Sequence, residues 1–220
     1  MPRLHAVVFD MDGLMFNTED VYYHVGTELL RRRGCQYTRE LSDAIMGRPP
    51  QACFETMIAW HALADDWQSM ARESEEIFIS LLDRHLAPMP GLLDLLDALE
   101  SAGIPKAICT SSSRRLLEEV LSRFAMQRRF RFTLAAEDIT RGKPDPEIYL
   151  TAAARFGIRP DEMLVLEDSQ AGSHSAATAG AFVVAVPCQQ SAGQDFSAAT
   201  MVVESLADQR LYETVFALDS

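Results

Sequence analysis

The stretch Ala6-Val7-Val8-Phe9-Asp10-Met11-Asp12-Gly13 constrains this chain more than any other. An apolar run ends in two carboxylates one residue apart, and a glycine then permits a sharp turn. The pattern predicts a buried strand that delivers acids to a sheet edge. In an open parallel α/β sheet, ligands bind outside the carboxyl ends of the strands, so Asp10 and Asp12 would stand where chemistry is done. Acids after a strand also cap the helix that follows, and for these two residues taken alone capping fits as well as catalysis.

The remainder of the chain changes that balance. Residues 17–86 carry no strand pattern. Val21, Val25 and Leu29 recur at helical spacing and stop at Gly34, and further helices are expected over 38–46, 51–60 and 66–86. Pro88-Met89-Pro90-Gly91 closes this helical block, and strands and helices alternate after it. Leu92, Leu95, Leu96 and Leu99 mark one helix face, stopped by Gly103 and Pro105. A strand is expected over 106–110, then a helix capped by Ser112 or Ser113 with Leu116, Val120 and Phe124 on its buried face. A weaker strand over 132–135 precedes a helix opened by Asp145-Pro146 and closed by Gly157. Residues 163–166 and 182–186 form two more apolar strands. The fold class is therefore α/β, a Rossmann-like doubly wound parallel sheet core (residues 1–16 and 87–220) with an inserted all-helical cap domain (residues 17–86).

Composition narrows the partners. With 48% hydrophobic residues in 220, the chain can bury a substantial core. The net charge of −12 argues against a nucleic-acid or anionic-membrane surface, because both need clustered basic residues. Arg31-Arg32-Arg33 and Arg128-Arg129 are short and read as solvated helix faces or ends. Cys35, Cys53, Cys109 and Cys188 show no pairing pattern, which fits reduced thiols and a cytoplasmic location. No apolar run reaches membrane-spanning length, and Asp10 and Asp12 interrupt the N-terminal one, so neither a signal peptide nor a membrane helix is expected.

Three further polar sites fall at strand ends or loops of the core, on the edge expected to carry Asp10: Ser111, Lys143 and Glu167-Asp168. Each has a plainer reading. Ser111 can begin a cap, Lys143 can be a solvated lysine, Asp145 reads as a cap before Pro146, and Asp168 or Ser169 can cap the helix containing Ala171 and Ala176. Their conjunction is more demanding. Four carboxylates (Asp10, Asp12, Glu167, Asp168) on one edge would repel, since two unit charges about 4 Å apart interact by roughly 4 kcal/mol at an effective dielectric near 20. Such a cluster requires cations. Hard oxygen ligands favour Mg²⁺, which shares its shell with substrate phosphate. A lysine opposite the metal would complete a trap for a phosphoryl group. The chain has two lysines, Lys106 and Lys143. Lys106 begins its strand, and five strand residues span about 15 Å, so it faces the opposite end and Lys143 alone can serve the site.

Asp10-Met11-Asp12-Gly13, Ser111 after a strand, Gly142-Lys143-Pro144 and Leu166-Glu167-Asp168-Ser169-Gln170-Ala171-Gly172 resemble the four motifs of the haloacid dehalogenase superfamily, in order and along essentially the whole chain. More narrowly they are similar to its branch with a helical cap after the first motif, which holds beta-phosphoglucomutase-like enzymes and many small-molecule phosphatases. The resemblance implies Asp10 as nucleophile, Asp12 as general acid and base, Ser111 with nearby amides and Lys143 as phosphate holders, and Ser112 as a further substrate contact. It also implies Mg²⁺ held by the Asp10 carboxylate, the Asp12 carbonyl and Asp168, with Glu167 adding a direct or water-mediated contact. Which residue of Thr110-Ser111-Ser112-Ser113 meets the phosphate directly is left open, with Ser111 chosen by motif alignment.

The same resemblance separates the branches. Dehalogenases lack an acid two residues after the nucleophile, and phosphonate-cleaving members use a cap lysine; here Asp12 is present and residues 17–86 hold no lysine. The mutases carry a cap lysine and a first-helix histidine, where this chain has Tyr22, with His24 two positions on. The expected activity is a phosphatase acting on a small phosphorylated metabolite; the alternatives are a sugar-phosphate mutase and a silent relative that only binds such a metabolite. The cap is expected to give selectivity by closing on hinges at residues 15–18 and 87–91. Arg48, in a loop between cap helices, is a candidate substrate contact, although a solvated loop arginine fits it equally. His5, His61, His85, His174, Trp60, Trp67 and the cap methionines show no ligand spacing. The sequence is compatible with a monomer.

Overall fold

The computed structural model describes residues 4–45 and 48–216. The chain divides into two compact units, one of Met1–Asn17 with Ala87–Ser220 and one of Thr18–Leu86. Among the described residues, the first contains six strands, β1 (Ala6–Phe9), β2 (Lys106–Cys109), β3 (Phe132–Leu134), β4 (Met163–Glu167), β5 (Phe182–Ala185) and β6 (Met201–Val202). They form one all-parallel sheet in the order β3-β2-β1-β4-β5-β6. Every residue of β1, β2 and β4 is buried. Strands covered by helices on both faces need apolar side chains at every position, which is why Ala6 to Phe9 reads as a continuous run rather than an alternation.

The regular elements of the second unit, among its described residues, are helices: α1 (Thr18–Arg31), α2 (Arg39–Ile45), α3 (Pro50–His61) and α4 (Trp67–His85). Helix α1 buries Val21, Val25 and Leu29, the spacing visible in the sequence. Asp66 caps α4 by accepting from the Ser69 amide at 2.8 Å. Arg33 donates to Asp65 and Glu73, both at 2.7 Å, and so ties the end of α1 to α4. The helix expected over 38–46 is seen to Ile45, while Met46 and Gly47 lie outside the described residues.

Among the described residues, five α-helices complete the first unit: α5 (Leu92–Ser101), α6 (Arg114–Arg123), α7 (Glu147–Phe156), α8 (Gln170–Ala179) and α9 (Gln209–Phe216). Side chains alternate across a strand, so Ala6 and Val8 share one face of the sheet with Ala107 and Cys109. On that face they pack with Ile148, Tyr149, Ala152 and Phe156 of α7 and with Ala176 and Ala179 of α8. The four leucines foreseen on α5 are all fully buried; burial of each contributes roughly 1.5–3 kcal/mol. Where the chain leaves the unit and returns, Asn17 N donates to the Ala87 carbonyl (3.1 Å), Ala87 N to Asn17 Oδ1 (2.6 Å) and Met89 N to the Met15 carbonyl (2.8 Å).

Several elements differ in detail from the sequence reading. The second strand ends at Cys109, one residue early, although Thr110 N still donates to the Leu134 carbonyl at 3.0 Å. Helix α7 begins at Glu147, with Pro146 in the capping position and Asp145 Oδ1 accepting from Glu147 N at 3.0 Å. Strand β6 and helix α9 were not foreseen. Two residues of strand are too few to show a period, and β6 is recruited by pairing with β5 rather than by its own sequence.

Candidate active site

The strand order places the site. β1 is followed on one side by β2 and on the other by β4, so the chain reverses its direction of winding between β1 and β4, and a crevice opens at their carboxyl ends. Asp10 follows β1, Glu167 ends β4, and Asp10 N donates to the Leu166 carbonyl at 2.9 Å. Asp10, Glu167 and Asp168 are all buried, and each offers a carboxylate oxygen within 4.8 Å of the others. Lys143 reaches into this cluster. Its Nζ donates to Asp10 Oδ1 (2.5 Å), Glu167 Oε1 (2.6 Å) and the Cys109 carbonyl (3.0 Å). Lys106 instead bonds Glu100 at 2.8 Å at the start of β2, as its position in the strand required.

The electrostatics follow from crowding. Burial pushes the Asp10 carboxyl well above the usual carboxylate range; Lys143 opposes this, while Glu167 and Asp12 add to it. Burial disfavours the Lys143 ammonium as well, but Asp10 and Glu167 outweigh it and hold Lys143 well above the ordinary lysine value, so it stays charged. Among the described residues, the Lys143 ammonium pairs with two of the three clustered buried carboxylates, and Asp12 Oδ1 is also buried without a hydrogen-bond partner. A hard, anionic oxygen set with too little positive charge of its own fits a hard divalent cation.

Asp12 is held differently from the other acids. Its Oδ2 accepts from Thr110 Oγ1 and from Ser112 Oγ, both at 2.8 Å, and Ser112 N donates to Thr110 Oγ1 at 2.9 Å. Ser111 lies between them and is exposed. The buried hydroxyl at this strand end is therefore that of Thr110, one residue before the serine chosen from the sequence. The plainer roles foreseen for nearby residues are also filled: Ser113 caps α6 and Ser169 caps α8. Arg48 is exposed in the helical unit, with Nη1 3.4 Å from Thr56 Oγ1.

Beside the acidic cluster, Gly13 and Gly172 are required by close approach. A Cβ on Gly13, which has φ +76°, would lie 2.3 Å from Asp168 Oδ2, and one on Gly172 would lie 2.0 Å from Glu167 Oε1. Two side chains at the site escaped the sequence reading. Cys188, after β5, is buried and its Sγ donates to Asp168 Oδ2 at 3.4 Å. Tyr149, on the buried face of α7, donates to Glu167 Oε1 at 2.5 Å. A tyrosine in register with Ala152 and Phe156 on a core face needs a polar partner, and that was the available signal.

A doubly wound sheet whose winding reversal holds acids around one buried ammonium is the framework of an enzyme that transfers an anionic group. Comparison with known proteins identifies the lineage. A model of the haloacid dehalogenase-like hydrolases matches residues 7–186. The chain is 34% identical over 211 residues to the Drosophila melanogaster protein named probable pseudouridine-5'-phosphatase, covering 91% of this chain and 89% of that one. It is 30% identical to the phosphorylated carbohydrates phosphatase of Thermotoga maritima (80% and 82% covered) and 26% identical to the beta-phosphoglucomutase of Bacillus subtilis (94% and 92% covered). The crystal structure of CbbY from Rhodobacter sphaeroides in complex with phosphate superposes with a TM-score of 0.83 at 24% identity, covering 93% of this chain and 96% of that one, which shows the shared fold. The chain belongs to the haloacid dehalogenase-like hydrolase family, in the branch with a helical insert after the first strand, and its curated relatives mark it as a phosphoric monoester hydrolase.

Proposed function

We propose that this chain hydrolyses a small phosphorylated metabolite, a phosphosugar or a phosphorylated nucleoside in the first instance, with Mg²⁺ and through a phosphoryl group carried on Asp10. The observation that carries the reading is the buried Lys143 ammonium 2.5 Å from Asp10 Oδ1, beside two further buried carboxylates. Asp10, the Asp12 carbonyl and Asp168 would hold the metal, with Glu167 engaged by Lys143. The ion would supply positive charge that offsets repulsion between the phosphate and the carboxylates.

The residues divide the work as follows. A carboxylate oxygen of Asp10 attacks phosphorus while the bond to the alcohol oxygen breaks, and Asp12 gives that oxygen its proton. Asp12, now a carboxylate, takes a proton from water as the water oxygen attacks the phosphorylated Asp10, releasing phosphate and restoring both acids. Thr110 and Ser112 orient Asp12 through its Oδ2, leaving Oδ1 for proton transfer. Lys143 binds the phosphoryl oxygens, and its charge opposes the burial that raises the Asp10 carboxyl. Ser111 contributes through its backbone, and Arg48 is the candidate recognition group of the helical unit.

Turnover of an aryl phosphate with Mg²⁺, abolished by Asp10→Asn, is the expected result, and an inert wild type across a broad panel of phosphate esters that still binds one of them would favour the silent-binder reading. The beta-phosphoglucomutase relative motivates a second assay. Beta-glucose 1-phosphate with Mg²⁺ and a bisphosphate primer should give free phosphate or no reaction, because the helical unit supplies no lysine for a second phosphate. Rapid formation of glucose 6-phosphate would make the chain a mutase instead.

A further inference from the structure

We propose that Tyr149 is a positioning residue, whose hydroxyl fixes Glu167 and, through it, holds the Lys143 ammonium against Asp10. Its geometry stands alone, and its effect on turnover rests on the phosphoryl-transfer reading above.

Tyr149 is fully buried on a face of α7 that is otherwise apolar. A phenol placed there must find an acceptor, and it finds Glu167 Oε1 at 2.5 Å. Burial, with Glu167 adding to it, pushes the phenol well above its ordinary pKa, so it remains a donor. The same Glu167 oxygen accepts from Lys143 at 2.6 Å, and Oε2 accepts from Ser169 Oγ at 3.1 Å. Gly172 closes the remaining side, with no space for a Cβ. Glu167 is thus held by α7, by the cap of α8 and by the floor of α8 at once. Its partner Lys143 is otherwise held at the ammonium by Asp10 and the Cys109 carbonyl, so Glu167 supplies one of three anchors. The Tyr149 ring adds a second contact, with Lys143 Nζ 5.3 Å from its centroid. Phenylalanine would keep the ring and remove the hydroxyl, while leucine would remove both.

The chain offers a clean test because it contains two lysines. Selective ¹³C,¹⁵N-lysine labelling gives two side-chain signals, and Lys106, paired with Glu100 at the far end of β2, serves as the internal control. In Tyr149→Phe the Lys143 side chain should gain mobility and its ammonium protons should exchange with solvent faster, with Lys106 unchanged. In Tyr149→Leu the ring-current shift of Lys143 should disappear as well. With a turned-over substrate, Tyr149→Phe should lower kcat by about tenfold while KM moves less than about threefold, the size expected for one bond to a charged group. Unchanged Lys143 signals in Tyr149→Phe, or equal changes at Lys106 that betray loosening of the whole unit, would overturn the assignment. The labelling needs no turnover, so an inactive wild type would defeat the functional reading and leave this one standing.

Discussion

At Gly172 a single hydrogen decides whether Glu167 can lie where it does. Alanine is the better helix former by roughly 1 kcal/mol, so replacing a helical glycine would ordinarily stabilise. Here the added methyl would sit 2.0 Å from a carboxylate already fixed by Lys143 and Tyr149, and overpacking of that kind costs about 1–3 kcal/mol. Gly172→Ala should therefore lower the melting temperature and displace Glu167, with turnover reduced at least about tenfold; a more stable and fully active variant would contradict the close packing. The sequence showed this residue only as part of a motif. It exposed Asp10, Asp12, Lys143, Glu167 and Asp168 because charged residues beside buried strands are conspicuous. It was less informative over Thr110 to Ser113, where one threonine and three serines offer four hydroxyls and the strand end must be known to one residue to tell which are buried.

Among the elements, the apolar strands and amphipathic helices were legible because each carries its period within itself. Helix α5 shows four buried leucines at helical spacing, and β1 is apolar at every position. Strand β6 was hidden for the opposite reason, since its existence depends on β5. The latch at the lower end of the sheet was hidden too. Glu100 of α5 accepts from Lys106 of β2 and from Arg129, and these hydrogen bonds, Arg129 first, lower its carboxyl to about 2. A carboxyl lowered in the folded state contributes stability above its unfolded value near 4.5 and loses it as pH falls toward 2. Glu100→Gln should cost on the order of 1 kcal/mol at pH 7, a modest figure because the carboxylate is 44% exposed and screened. The difference from wild type should shrink steadily between pH 4.5 and 2 in acid denaturation, and a gap that stays constant would remove the latch.

For the molecule as a whole, the alternation of elements after residue 87 was enough to give the doubly wound sheet, and the uninterrupted helical stretch before it gave the insert. Substrate identity was not legible, since it depends on side chains that several helices must bring together. The chain carries a net charge of −12, and part of that excess is buried around Lys143. A cation that binds the folded cluster and not the unfolded chain must stabilise the fold, by about 2.7 kcal/mol at a concentration a hundredfold above Kd. Mg²⁺ should accordingly raise the melting temperature and EDTA reverse it, with the shift abolished in Asp168→Asn; an Mg²⁺-independent melting temperature would deny the cluster its metal. The sharpest test is to trap the phosphorylated carboxylate. Borohydride added during turnover reduces an acyl phosphate to an alcohol, so Asp10 should appear as homoserine by peptide mass spectrometry, dependent on both substrate and Mg²⁺. Full turnover with Asp10 unmodified, or with the label on another residue, would contradict covalent transfer through Asp10.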